Sequence, residues 1–98
     1  MIIFDDYYFE NNDIEIFSFS KENLKAKKDF IFVDSQIEAV LANQFGIKFI
    51  VSKDLELLIK LQKLADDYLF DSKITALISS KNDLQELIDA RIDAAIIK

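Results

Sequence analysis

The chain has 98 residues, enough for one hydrophobic core, and its 51% hydrophobic and 31% charged content belongs to a folded globular domain rather than a disordered one. It contains no cysteine and no histidine, which removes disulfides, thiol nucleophiles, thiolate metal sites and the usual general base at neutral pH. A formal net charge of −6, with no basic stripe beyond Lys25, Lys27 and Lys28, argues against nucleic acid and against anionic membrane surfaces as partners.

The first residues, MIIFDDYYFE, carry acids too early for a signal-peptide core, and no apolar run approaches the roughly 18 residues of a membrane span. The expectation is a cytoplasmic protein. Residues 1–19 alternate apolar and polar side chains around the turn-prone ENND at 10–13, which predicts a β-hairpin of Ile2 to Phe9 against Ile14 to Phe19. Two separate strands are the alternative. SKENLKAKK at 20–28 offers Ser20 as a cap and only Leu24 and Ala26 as apolar anchors, so it reads as a short helical turn or a loop.

From residue 29 the pattern becomes strand, helix, strand. DFIFVD is an apolar run, SQIEAVLANQF carries Ile37, Val40, Leu41 and Phe45 at helical spacing, and GIKFIVS is a second apolar run. Ser35 and Glu38 have capping-box spacing, and Gly46, the single glycine, stands where a helix stop needs one. The next crossover, KDLELLIKLQKLADDYLF, sets Leu55, Leu58, Leu61, Leu64, Ala65 and Tyr68 on one stripe, and DSKITALIS returns to strand. The last runs from SKNDLQELIDAR, with Ser80 and Asp83 at capping-box spacing, into IDAAII. Val33 to Ile47 and Ile78 to Ile92 both span fourteen residues, an architectural repeat of strand end, helix and next strand. Tyr7, Tyr8 and Tyr68 read as amphipathic packing residues.

Strands buried on both faces and linked by helices define the α/β class. The expectation is one domain over 1–98: an N-terminal hairpin (1–19), then a βαβαβαβ unit (29–98) forming a small parallel sheet with βαβ crossovers, flavodoxin/Rossmann-like. Three long helices cannot thickly cover both faces of such a sheet. Apolar surface is then left over for a partner, most simply a second copy.

Ligands of parallel α/β sheets gather at the carboxyl ends of the strands. Those ends supply the candidate ligand-binding residues Asp34, Ser35, Ser52, Lys53, Ser79, Ser80, Lys81 and Lys98. A serine before a helix, with backbone N–H groups and the helix dipole behind it, favours an anion. The same serines are also ordinary caps, and no glycine-rich phosphate loop accompanies them. Asp5, Asp6 and Asp34 make a magnesium-type acid cluster if the first strand lies beside residues 30–33. Asp66, Asp67 and Asp71 lie at a helix end, away from the strand ends.

The segment ITALISSKNDLQELIDARIDAAIIK, residues 74–98, resembles the second half of a response-regulator receiver domain: a strand ending in a hydroxyl residue, a helix, and a strand ending in lysine. The resemblance implies a switch role for Ser79 and phosphoryl contact for Lys98, and Asp5 and Asp6 take the place of the acidic pair. No aspartate ends GIKFIVS, where the phosphoacceptor belongs, so a receiver-like chain of this kind implies a degenerate domain without phosphotransfer. The functional expectation is a non-catalytic α/β module, with no cofactor, that acts through protein–protein association, as a homo-oligomer or with a protein partner. The alternative is a small-ligand or anion-binding domain, or a minor enzyme, that uses the strand-end residues.

Overall fold

The computed structural model describes residues 1–5 and 14–98. The chain is an α/β domain with a single all-parallel sheet of six strands: β1 (Ile2–Asp5), β2 (Ile16–Ser18), β3 (Phe30–Phe32), β4 (Phe49–Ser52), β5 (Lys73–Ile78) and β6 (Ala94–Ile97), in the order β1-β6-β5-β4-β3-β2. Helices α1 (Lys21–Lys25), α2 (Gln36–Gln44), α3 (Leu55–Asp67) and α4 (Leu84–Asp89) form the crossovers from β2 onward, α4 following a 3-10 turn at Lys81–Asp83. None of these helices is long and apolar enough to cross a membrane.

The N-terminal hairpin does not form. β1 pairs in parallel with β6 and β2 in parallel with β3, at opposite edges of the sheet. Edge strands are half exposed, so they alternate apolar and polar residues just as hairpin strands do, and alternation carries no information about which strand is the partner. The remainder of the expected hairpin, with its ENND turn, Tyr7 and Tyr8, lies outside the described residues.

Because β2 to β6 are laid down side by side in chain order, right-handed crossovers stepping in one direction place successive helices on the same face. The burial pattern agrees. One buried cluster joins Leu24, Ala39, Ala42, Leu58, Leu61, Ala65 and Leu87 of the helices to Ile31, Ile50, Ile74, Ala76 and Ala95 of the strands. Among the described residues the second contains no helical residue: Phe30, Val51 and Ile96, with Phe4, Ile14, Ile16, Phe32, Phe49 and Leu77 packed against them.

That face is concave. β1 and β3 are four strand intervals apart, about 19 Å in a flat sheet at the usual spacing of about 4.8 Å. Yet the Phe4 ring lies 5.3 Å from that of Phe30 and 5.2 Å from that of Phe49, edge-on to both. Phe30 and Phe49, in register on neighbouring strands, stack at 4.6 Å. The sheet is therefore strongly curled, and the three rings fill the hollow that the curl creates, each ring pair contributing about 0.5–1.5 kcal/mol beyond its area.

The sequence pattern of α2 is inverted in space. Ala39 and Ala42 face the sheet at 0% exposure, whereas Ile37, Val40 and Leu41 turn outward at 74%, 44% and 44%. Alanines let the helix approach the strands closely, and the larger apolar stripe is left outside. In α3, Leu58, Leu61 and Ala65 are buried as expected, but Tyr68 is solvent-exposed rather than packed.

The four helices end alike. After each, one residue adopts the left-handed conformation: Lys27, Gly46, Leu69 and Arg91, with φ of 53°, 82°, 54° and 57°. The next amide then bonds back to the helix, Lys28 to the Asn23 carbonyl, Ile47 to Ala42, Phe70 to Ala65 and Ile92 to Leu87. This is the Schellman geometry, and Ile47 and Ile92, paired in the fourteen-residue repeat, occupy equivalent positions in it. Glycine serves one exit only; in the other three a side chain bears the left-handed backbone.

Candidate functional site: the carboxyl ends of the strands

Most of the polar side chains at the carboxyl end satisfy their own loops. Ser20 Oγ accepts from the Asn23 amide at the start of α1, and Ser35 Oγ from the Glu38 amide at the start of α2, both at 3.1 Å. The Glu38 carboxylate reaches back to the Asp34 N–H at 2.8 Å, one residue earlier than a capping box requires. Ser80 Oγ accepts from the Asn82 amide at 3.1 Å and caps the 3-10 turn. At α3 the cap is Asp54, which accepts from the Glu56 amide at 3.1 Å. Ser52 lies beneath it, 1% exposed, with its Oγ taking the Asp54 N–H at 3.3 Å. Ser35, Ser52 and Ser80 are thus occupied by backbone N–H groups.

Of the remaining candidates, Asp34, Lys53, Ser79 and Lys98 border two hollows, and Lys81, exposed in the 3-10 turn, lines neither. A pocket of about 520 Å³ is lined by Lys53, Ser79 and Lys98 together with Leu55, Leu77 and Leu87. Asp83 and Glu86 contribute to its wall. A second, of about 500 Å³, is lined by Ser18, Phe32, Asp34 and Glu38. Lys53 and Leu77 border both. Lys98 continues β6 by donating its amide to the Ile78 carbonyl at 2.9 Å, and its ammonium reaches the Ile14 carbonyl, just before β2, at 3.0 Å. That contact links the end of β6 to the far edge of the curled sheet. The Lys53 ammonium makes no ion pair or hydrogen bond among the described residues.

β1 lies beside β6 and not beside β3, so the adjacency that would join Asp5 to Asp34 is not present in the sheet order. Asp5 is buried, Asp34 is exposed, and Asp6 lies outside the described residues. Among the described residues no group of three or more His, Cys, Asp or Glu side chains is placed to hold a metal ion. Asp66 accepts from Gln62 Nε2 at 3.0 Å and Asp67 from Lys63 at 2.9 Å, so both act within α3. The bond and charge of Asp67 hold the exposed Lys63 above the ordinary lysine pKa; Lys63 lines neither hollow.

Sequence reasoning missed the polar residues at the opposite, amino end. Gln62, 3% exposed, accepts from the Asp93 amide through Oε1 at 2.9 Å, and Asp93 Oδ2 accepts from the Ile74 amide at 3.0 Å. Ser72, 2% exposed, donates to the Ile47 carbonyl, and its amide donates to Asn43 Oδ1 at 3.2 Å. One signal was present: Gln62 stands four residues after Leu58 and one after Leu61, a polar residue on an apolar stripe.

No protein-family model matches the sequence, and a search of the curated proteins returns no match.

Proposed function

We propose that this chain is a non-catalytic α/β module that acts by protein–protein association, with α2 as its contact surface. The observation that carries this reading is the inverted helix: α2 presents Ile37, Val40 and Leu41 to solvent while alanines meet the sheet. These three residues and Leu64 of α3 line an apolar hollow of about 240 Å³. Isolated exposed apolar residues are ordinary, but a contiguous stripe along one helix marks a contact surface. The lack of histidine and cysteine makes a catalytic reading harder to build.

A second copy is the simplest partner, because a two-fold axis sets the same apolar stripe against itself. Light scattering at micromolar concentration should report a dimer or larger. Ile37→Glu with Leu41→Glu should give a folded monomer whose denaturation midpoint, unlike that of a wild-type dimer, does not depend on protein concentration. A wild-type chain that stays monomeric at high concentration would remove self-association from the reading.

A further inference from the structure

The hollow of about 500 Å³ at the carboxyl ends of β2, β3 and β4 shares no lining residue with the apolar hollow beside α2. We propose that it binds a zwitterionic α-amino acid with an apolar side chain. The ligand's ammonium lies on Asp34 and Glu38, its carboxylate on Lys53, and its side chain against Ile16, Phe32 and Leu77. The volume is in the ordinary range for small-ligand sites, and the carboxyl end is where parallel sheets place their ligands.

The sheet register brings the charges together. Phe32 of β3 stands opposite Val51 of β4, and the ladder runs on through the Val33 amide, which donates to the Val51 carbonyl at 2.9 Å. The same register, two residues further, sets Asp34 opposite Lys53. Side chains alternate along a strand, so Asp34 continues the row of Phe30 and Phe32, and Lys53 that of Phe49 and Val51, all on the concave face. Both line the hollow. Yet they do not bond each other, and neither side chain makes an ion pair or hydrogen bond among the described residues. Glu38 is fixed beside Asp34, its Oε1 accepting from the Asp34 amide at 2.8 Å, so two carboxylates are available to an ammonium group with three donors.

The balance of the lining selects the ligand. A simple anion would meet two carboxylates, and a simple cation would meet the Lys53 ammonium; a ligand with both charges, set close together as in an amino acid, satisfies all three groups. Beyond them lie Ile16, Phe32 and Leu77, each half-buried. They leave apolar area that a ligand side chain can cover.

Titration of the full chain with L-phenylalanine, followed by amide chemical shifts in NMR, tests the proposal. Phenethylamine lacks the carboxylate, 3-phenylpropionate lacks the ammonium and glycine lacks the apolar body. L-Phenylalanine should give saturable shifts at Phe32, Asp34, Lys53 and Leu77 and bind more tightly than all three. Asp34→Asn and Lys53→Gln should each weaken it about fivefold, as the loss of an ion pair in a solvent-exposed setting does. Each variant should also lose its own discrimination: Lys53→Gln should no longer prefer L-phenylalanine to phenethylamine, and Asp34→Asn should narrow its preference over 3-phenylpropionate. Absence of saturation, a singly charged analogue or glycine binding the wild-type chain as tightly as L-phenylalanine, or unchanged affinity in the two variants would each overturn the proposal.

Discussion

The two ends of the sheet use similar polar side chains in different ways. At the amino end, hydrogen bonds span long stretches of chain: Ser72 to Ile47, Ser72 to Asn43, and Gln62 to Asp93 join segments 25, 29 and 31 residues apart. At the carboxyl end, the bonds of Ser35, Ser52, Asp54 and Ser80 reach no further than three residues along the chain. A side chain bonded to a distant loop fixes tertiary structure, and its burial makes its loss costly. A side chain bonded to the next helical turn shapes a local start and leaves the surface beyond it open. The amino end is fastened by several such long-range side-chain bonds, whereas at the carboxyl end the one side-chain bond of that reach among the described residues is that of Lys98 to the Ile14 carbonyl.

The largest effect in this comparison belongs to Gln62. Gln62→Leu keeps the side-chain volume and the apolar surroundings but leaves the Asp93 amide without its acceptor. An unmet buried donor costs about 1–3 kcal/mol. Urea denaturation should therefore show a clear fall in midpoint at an unchanged slope. A change within a few tenths of a kcal/mol would mean that water replaces the bond and that the amino end is not the fastened one.

Ser35→Ala probes the carboxyl end by the same method. It removes one local cap, worth about 1 kcal/mol, while Ser35→Gly should cost only a few tenths because glycine leaves the helix start accessible to water. Glu38 retains its bond to the Asp34 amide, which limits the loss further. If Ser35→Ala destabilised more than Gln62→Leu, the contrast between local and long-range bonding would be reversed.

The βαβ pattern from residue 29 onward was legible because its strands are buried on both faces and its helices have capped starts: Ser35 accepts from the Glu38 amide that the spacing indicated, while Ser80 caps the 3-10 turn through Asn82 rather than Asp83. Four of the eight candidate site residues, Asp34, Lys53, Ser79 and Lys98, border a hollow. What escaped did so for physical reasons. β1 and β2 alternate because each is an edge strand, and no local period distinguishes a hairpin partner from one on the far side of a sheet. The stripe Ile37, Val40, Leu41 has the periodicity of a core face, and only the sheet's demand for small residues at Ala39 and Ala42 decides otherwise. Ser72 and Asp93 are individually indistinguishable from surface residues, since their value lies in partners remote in sequence.

The helix exits, also at the amino end, offer the smallest effect and the only stabilising one. Leu69 is 85% exposed at φ 54°, so its side chain contributes little packing while its backbone bears the left-handed cost of about 1–2 kcal/mol. Leu69→Gly relieves that cost and gives back part of it through the freedom glycine has when unfolded. A net gain of about 0.5–1 kcal/mol should raise the melting temperature by a few degrees in a domain of this size. Gly46→Ala is the reciprocal measurement at the one exit that has glycine. A β-carbon there would meet nothing nearer than Lys27 Nζ at 3.9 Å, while φ is 82°, so any loss reports the backbone alone. The two changes should have opposite signs and similar size. If Leu69→Gly also destabilised, the leucine would be making contacts that outweigh its conformation, and the four exits would be equivalent in shape but not in energy.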